Sequence, residues 1–292
     1  MDEIKKITPE EFTDIAAQQP FNTILLTKDY FITLYLYLLK DIEGIYFKGG
    51  TALQKILLNY SRLSEDIDYT LTIDMDEAKE KIKKILKASK LTTGITKDKD
   101  VEGFTRLVVR YTFNGQEGEV FIDLNKRAKL LLKPENHEIK HFYQGHIPPF
   151  SFPTLAKEEM IAEKVAAAIG RNRPRDHYDI YQIIEHKIPI NLKLAETKCK
   201  QSGNEFDIIH MFNNASKLKA RWDKDMLPLL SQEVPFTKVM KTLSQYFKLK
   251  DAKEKGFVSR KASFSSVGHF IQRPEFKALI ARGVQPLSDI EL

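Results

Sequence analysis

Two carboxylates set one residue apart on a strand project from the same face, because side chains alternate sides with a period of two. Asp66 and Asp68 have that spacing in Ser64-Glu65-Asp66-Ile67-Asp68, which leaves Ile67 to face a core. Paired carboxylates repel unless a cation neutralises them. An all-oxygen ligand set suits magnesium, or manganese in its place, with waters and substrate phosphates completing the shell. Asp123 in Phe121-Ile122-Asp123-Leu124 repeats the design and is a candidate third metal ligand. Two metals about 4 Å apart would activate an acceptor oxygen and stabilise a departing pyrophosphate during in-line displacement. The plainer alternative is a set of exposed acids on a strand, and for Asp123 taken alone that is the more ordinary reading.

A turn at Lys48-Gly49-Gly50-Thr51 precedes the aspartates. Glycines let backbone N–H groups approach phosphate oxygens, and the following helix offers its positive end. A Gly-Gly pair by itself is usually only a turn. Its place one helix ahead of a double-aspartate strand is more specific, and residues 52–65 are enough for that helix and a return. Together the two features point to magnesium and a nucleoside triphosphate.

The string Phe47-Lys48-Gly49-Gly50-Thr51-Ala52-Leu53 through Arg62-Leu63-Ser64-Glu65-Asp66-Ile67-Asp68 resembles the AbiEii/AbiGii toxin family, a branch of the DNA polymerase β-like nucleotidyltransferase superfamily. Thr51 stands where many superfamily members carry serine. A second stretch, Lys157 to Ala167 followed by Arg175-Asp176-His177-Tyr178-Asp179-Ile180, resembles the family's lysine-bearing helix and its arginine-aspartate, two-residue, aspartate motif. The resemblance implies that Asp66, Asp68, Lys164 and Asp179 are catalytic, with Lys164 reaching phosphates and Asp179 orienting a nucleotide or a basic group. It also implies that Lys48, Gly49, Gly50, Thr51, Arg62, Ser64, Arg175 and Asp176 bind nucleotide. The implied reaction moves a nucleotide from an NTP to RNA, with the tRNA 3′ end as acceptor, and a cognate antitoxin is the implied partner.

Read from the residues alone, Lys157 and Lys164 are seven apart and share a helix face, so they could line a cleft. A solvated lysine is the ordinary alternative, and for Lys157 the preferred one. A phosphate-reaching Lys164 would be dispensable to the fold. Arg171, Arg173 and Arg175 could grip triphosphate or RNA, or simply be solvated. His177 reads as structural, Tyr178 and Tyr181 as packing, and Trp222 as an anchor of a helical bundle. The lysines from Lys79 to Lys90 read as a solvated helix face, and the basic residues from Lys238 to Lys261 as a possible nucleic-acid track.

Elements able to position these residues are legible. Thr8 and Glu11 form a capping box opening a short helix, and Ile24 to Leu39 reads as a longer one. Gly44 to Lys48 reads as a strand, Ala52 to Leu58 as a helix, Asp66 to Thr72 as a strand and Asp76 to Ser89 as an amphipathic helix. Phe104 to Phe113 and Glu119 to Leu124 are strands joined around Asn114-Gly115, a dipeptide suited to a tight hairpin. Pro148, Pro149 and Pro153 punctuate the chain, after which helical patterning dominates to about Leu249 and a basic connection leads to a final short helix. The expected class is α+β. Residues 1–150 form a nucleotidyltransferase domain with a mixed sheet, and residues 151–292 form a helical bundle that completes the active-site cleft.

Composition sets outer limits. With 292 residues, 42% hydrophobic and 29% charged, the chain is long enough for two modest cores and too apolar for disorder. The single cysteine, Cys199, excludes an intramolecular disulfide and a cysteine-based metal cluster. Lys28 and Asp29 interrupt the apolar run of residues 21–39, so a buried helix is expected there and no membrane partner; a cytoplasmic location follows from the absence of a secretory signal. A net charge of +6 is compatible with a polyanionic partner. Transfer to a protein or small-molecule hydroxyl, and a non-catalytic nucleic-acid-binding module, are the alternatives to RNA modification.

Overall fold

The computed structural model describes residues 4–127, 129–171 and 173–249. The basic connection and final helix expected beyond residue 249 lie outside the described residues.

Thr8 and Glu11 close the expected capping box around α1 (Pro9–Ala17), and Asn22 caps α2 (Thr23–Leu39) through its side chain. Most of α2 from Leu26 onward is buried, which accounts for its nearly continuous apolar sequence. Asp29 within it is paired with buried Lys55 at 2.8 Å. The chain then forms β1 (Ile45–Lys48), a single helical turn α3 (Gly49–Ala52) that runs into a π-helical turn over Leu53–Leu57, and β2 (Asp66–Leu71). Asp74 caps α4 (Met75–Ala88), whose Ala78, Ile82 and Leu86 face inward. Three antiparallel strands follow: β3 (Gly94–Val101), β4 (Phe104–Phe113) and β5 (Gln116–Asn125). Asn114 and Gly115 both take positive φ, 49° and 73°, the backbone that a two-residue hairpin turn requires.

Two short strands, β6 (Glu135–Glu138) and β7 (Ser151–Thr154), complete a mixed sheet of order β3-β4-β5-β2-β1-β7-β6 among the described residues. The sheet therefore runs past residue 150, where the proline cluster reads as punctuation, and Pro153 sits inside β7 opposite Asn136. Helices α5 (Lys157–Gly170), α6 (Pro174–Glu185), α7 (Leu192–Gln201), α8 (Ala215–Met226) and α9 (Phe236–Tyr246) follow, with a 3-10 turn at Leu227–Leu229 between the last two. Trp222 is buried and its ring meets Tyr178 and Phe236, the anchoring role its sequence context suggests. Cys199 is buried in α7, whose main helical neighbour is α5. The fold class is α+β, consistent with a nucleotidyltransferase fold.

Candidate active site

Strand register builds a row of charges across the middle of the sheet. Lys48 on β1 pairs with Asp68 on β2, Asp68 pairs with Asp123 on β5, and Asp123 pairs with Arg106 on β4. Alternation along β2 places Asp66 on the same face as Asp68 while Ile67 and Tyr69 are fully buried on the other. Neighbouring strands lie about 4.8 Å apart, so the row brings two cations to the ends of a carboxylate pair and sets Asp66 beside it.

Asp68 and Asp66 are not neutralised. Burial, with Asp123 and Asp66 adding like charge, pushes the Asp68 carboxyl up to about 6, against the weaker pull of Lys48 and Arg171. Burial likewise raises Asp66, although Arg175 and Lys28 pull the other way. Neither carboxylate has a hydrogen-bond or ion-pair partner among the described residues. Oxygen donors with unneutralised charge fit a divalent cation. Asp123 differs: both its oxygens accept from Arg106 at 2.7 Å, and the guanidinium also lies 4.9 Å from the Phe121 ring centre. Service as a third ligand therefore requires Asp123 to exchange that guanidinium for metal. Among the described residues no three acidic, histidine or cysteine side chains are drawn together as a ready-made metal cluster.

Gly49 has a φ of +79°, and a Cβ there would overlap the Asp68 carboxylate. The backbone at this turn thus approaches the aspartate as only glycine allows. Gly49→Ala is expected to cost about 1–3 kcal/mol of stability and to lower activity by roughly tenfold or more, measured by urea unfolding and by transfer rate. Wild-type values in both measurements would show that the turn tolerates a side chain. Thr51 is buried, and its hydroxyl donates to the Asp66 carbonyl, so it ties the turn to the aspartate strand rather than presenting a free group to phosphate.

Beneath the carboxylates lies a floor of ion pairs. Arg62 donates from Nε and Nη2 to the two oxygens of Asp179, both at 2.7 Å, and from Nη1 to the Leu63 carbonyl. Lys164 donates to Asp179 at 2.9 Å and to Asp176 at 3.0 Å. Arg171 makes a bidentate pair with Asp176 at 2.8 Å. Burial alone would raise the carboxyls of Asp176 and Asp179, but Lys164 with Arg171 and Arg62 with Lys164 outweigh it and hold them below the usual range. Asp179 thus pairs with Arg62 and Lys164, and Arg62 and Asp176, both expected at the nucleotide, each sit in a buried pair. Lys164 lines the cleft with its ammonium held between two carboxylates.

The cleft is a trough with two arms. Its centre is lined by Gly50, Ser64, Asp66, Asp68, Lys164 and Arg171. One arm continues past Lys48, Gly49 and Asn125 to Gly170, Gln201, Ser202 and Asn204. The other continues past Arg173 and Arg175 to Arg221, Lys224 and Pro228. Lys157 is exposed, whereas His177 is buried with its ring nitrogens against the carbonyls of Arg173 and Met211. Lys157 is thus a solvated side chain, and His177 a structural one.

Three contributors have no motif to announce them. Arg106 is set by hairpin register. Glu163 receives Lys48 at 3.2 Å and Lys198 at 3.0 Å and ties β1 to α5 and α7 at that wall of the cleft. Gln54, on the π-helical turn, donates to Asp179 at 3.0 Å and accepts from Ser61 Oγ and the Arg62 N–H.

Comparison with solved structures finds the same fold elsewhere. The crystal structure of JHP933 from Helicobacter pylori superposes with a TM-score of 0.54 at 17% identity, covering 83% of this chain and 99% of that one. A putative nucleotidyltransferase from H. pylori gives 0.56 at 18% identity, covering 80% and 98%. MenT4, nucleotidyltransferase toxin Rv2826c from Mycobacterium tuberculosis H37Rv, gives 0.53 at 20%, covering 75% and 73%. These likenesses establish the fold. No curated protein matches significantly. The model of the nucleotidyl transferase AbiEii toxin family, type IV toxin–antitoxin system, matches residues 36–249 and so spans the charge row, the glycine turn and the ion-pair floor. The chain belongs to that family and is a nucleotidyltransferase, which implies a nucleoside triphosphate substrate and a partner antitoxin.

Proposed function

We propose that this toxin transfers a nucleotide from an NTP to the 3′ hydroxyl of an RNA, with tRNA as the acceptor, using magnesium or manganese held by Asp66 and Asp68. The observation that carries the reading is the unneutralised carboxylate pair facing the Gly49-Gly50 turn. When bound, the divalent cation supplies positive charge to the phosphates and acidifies the acceptor hydroxyl. The acceptor oxygen bonds to the α-phosphorus, the bond from that phosphorus to the bridging oxygen breaks, pyrophosphate leaves with the electron pair, and the hydroxyl proton passes to water.

In this reading Lys48, Gly49 and Gly50 receive the triphosphate, and Ser64 and Arg175 line its central and acceptor sides. Asp123 would be the third residue to hold the metal, in place of its pair with Arg106. Asp179, Arg62 and Asp176 hold Lys164 and Arg171 at the cleft, so the helices after residue 150 complete a site begun on the sheet. The proposed reaction would take place in the cytoplasm, where NTP, RNA and an antitoxin meet; no helix among the described residues is long and apolar enough to cross a membrane.

Incubation with each of four α-labelled NTPs, magnesium and total RNA should label a discrete RNA band at its 3′ end, and chelation of the metal should abolish it. Labelling of protein instead would replace the acceptor, and metal-independent RNA binding without labelling would replace the reaction.

A further inference from the structure

An in-line transfer sets the entering hydroxyl and the departing pyrophosphate on opposite sides of one phosphorus atom. From its centre the trough runs on into two separate arms, and they differ chemically. Beyond the glycine turn, Asn125, Gln201, Ser202 and Asn204 line an arm whose cations are all paired, Lys48 with Glu163, Lys198 with Glu163 and Glu159, and Arg171 with Asp176. Neutral amides and a hydroxyl suit the nucleoside of the NTP. The opposite arm carries Arg173, Arg175, Arg221 and Lys224 against only Glu65 and Asp225. Arg175 and Arg221 each hold one of those acids, at 3.1 and 2.5 Å. Arg173 and Lys224 are exposed and have no ion-pair partner among the described residues.

We propose that this second arm, between the start of α6 and the end of α8, binds the phosphate backbone of a single-stranded RNA 3′ end and delivers its hydroxyl to Asp66. The proposal rests on the transferase reading above. Guanidinium and ammonium groups recognise phosphate independently of sequence, and Leu25 and Pro228 add an apolar wall on which ribose and base faces can rest. The wall is fixed to the catalytic strand: the Leu63 N–H donates to the Leu229 carbonyl at 2.8 Å, and Arg62 forms a backbone bridge with Leu230. RNA seated there is thus positioned by the same segment that leads into Asp66.

The test is the double variant Arg221→Glu/Lys224→Glu, exposed positions outside the catalytic set, against wild type and a charge-matched control on α4, Lys81→Glu/Lys84→Glu. Binding of a short fluorescein-labelled single-stranded RNA is followed by anisotropy across a salt series. ATP binding with magnesium is followed separately by thermal shift. The α8 variant should weaken RNA binding by about tenfold or more and reduce the slope of log affinity against log salt by about 1.4, at roughly 0.7 for each phosphate no longer neutralised. Its melting temperature and ATP shift should match wild type, and the α4 control should bind RNA normally. Unchanged RNA binding in the α8 variant, or an equal loss in the control, would overturn the assignment. So would groove-dependent binding of polyglutamate with none of RNA. Transfer to RNA that survives in the α8 variant sinks the groove and leaves the transferase reading standing; a groove that binds RNA in a protein transferring nothing to RNA does the reverse.

Discussion

Asp68→Asn is expected to lower nucleotide transfer by about a hundredfold or more while raising the melting temperature above pH 6. The activity loss corresponds to about 3 kcal/mol of transition-state stabilisation at 1.36 kcal/mol per decade, the scale on which metal-held charge acts. The stability gain follows from the raised carboxyl. With a folded value of about 6, above that of a free aspartate, Asp68 favours the fold while protonated. That contribution is fully present below about pH 4 and is lost as pH rises through 6. Ionised and without metal, the group then costs on the order of 1–3 kcal/mol, because burial strips its charge of water and Asp123 and Asp66 repel it, and together these outweigh the pull of Lys48 and Arg171. Asparagine removes the charge and keeps the shape. Melting curves at about pH 4 and pH 8, with and without magnesium, should show the variant more stable only at the higher pH, and magnesium stabilising wild type alone. Near-wild-type transfer by the variant, or a lower melting temperature at pH 8, would make Asp68 a structural residue.

The largest stability effect is expected at Asp179→Ala, about 3–5 kcal/mol, because it strands the fully buried Arg62 guanidinium and frees one side of Lys164. Against a typical total of about 5–15 kcal/mol this is a large fraction. Lys164→Ala should also destabilise, contrary to the expectation that a phosphate-reaching lysine is dispensable, since Asp176 and Asp179 would lose a shared buried cation. The carboxyls of Asp176 and Asp179 are held low, so their contribution is present above the pH at which a free aspartate ionises and is lost as pH falls through their folded values. Acid unfolding should accordingly shift to higher pH in Arg62→Met. The double variant Arg62→Met/Asp179→Leu should recover much of the stability, but not the activity, in urea denaturation and transfer assays. If Asp179→Ala unfolds at wild-type urea concentrations, the floor is not what holds the cleft.

Elements with strong local chemistry were legible in the sequence. The capping box at Thr8, the Asn114-Gly115 hairpin and the alternation of Asp66 to Leu71 each follow from interactions within a few residues or from a period of two. The β3 strand was not, because Lys97, Asp98, Lys99 and Asp100 give it an exposed polar face with no apolar alternation. In β7, four residues including a proline carry too little pattern to separate a strand from a linker. The candidate site divides in the same way. Spacing puts Asp66 and Asp68 on one face, and counting outward from the hairpin turn sets Arg106 opposite Asp123. That Lys164 is clasped by Asp176 and Asp179, and Arg62 by Asp179, depends on how the helices lie against the sheet, which no local period encodes.

The Arg62–Asp179 pair joins residues separated by 117 positions. At a synthesis rate of about 5–20 residues per second, roughly 6–23 s pass between the appearance of one partner and the other. Throughout that interval the ribosome carries a chain with Asp66, Asp68 and the glycine turn but no counter-ion for Arg62, which has to stay hydrated. The segment that leads from Arg62 into β2 therefore cannot reach its final packing until α6 has emerged. Each newly made toxin molecule begins life with a built-in delay, set by the order of its segments, before it can modify anything.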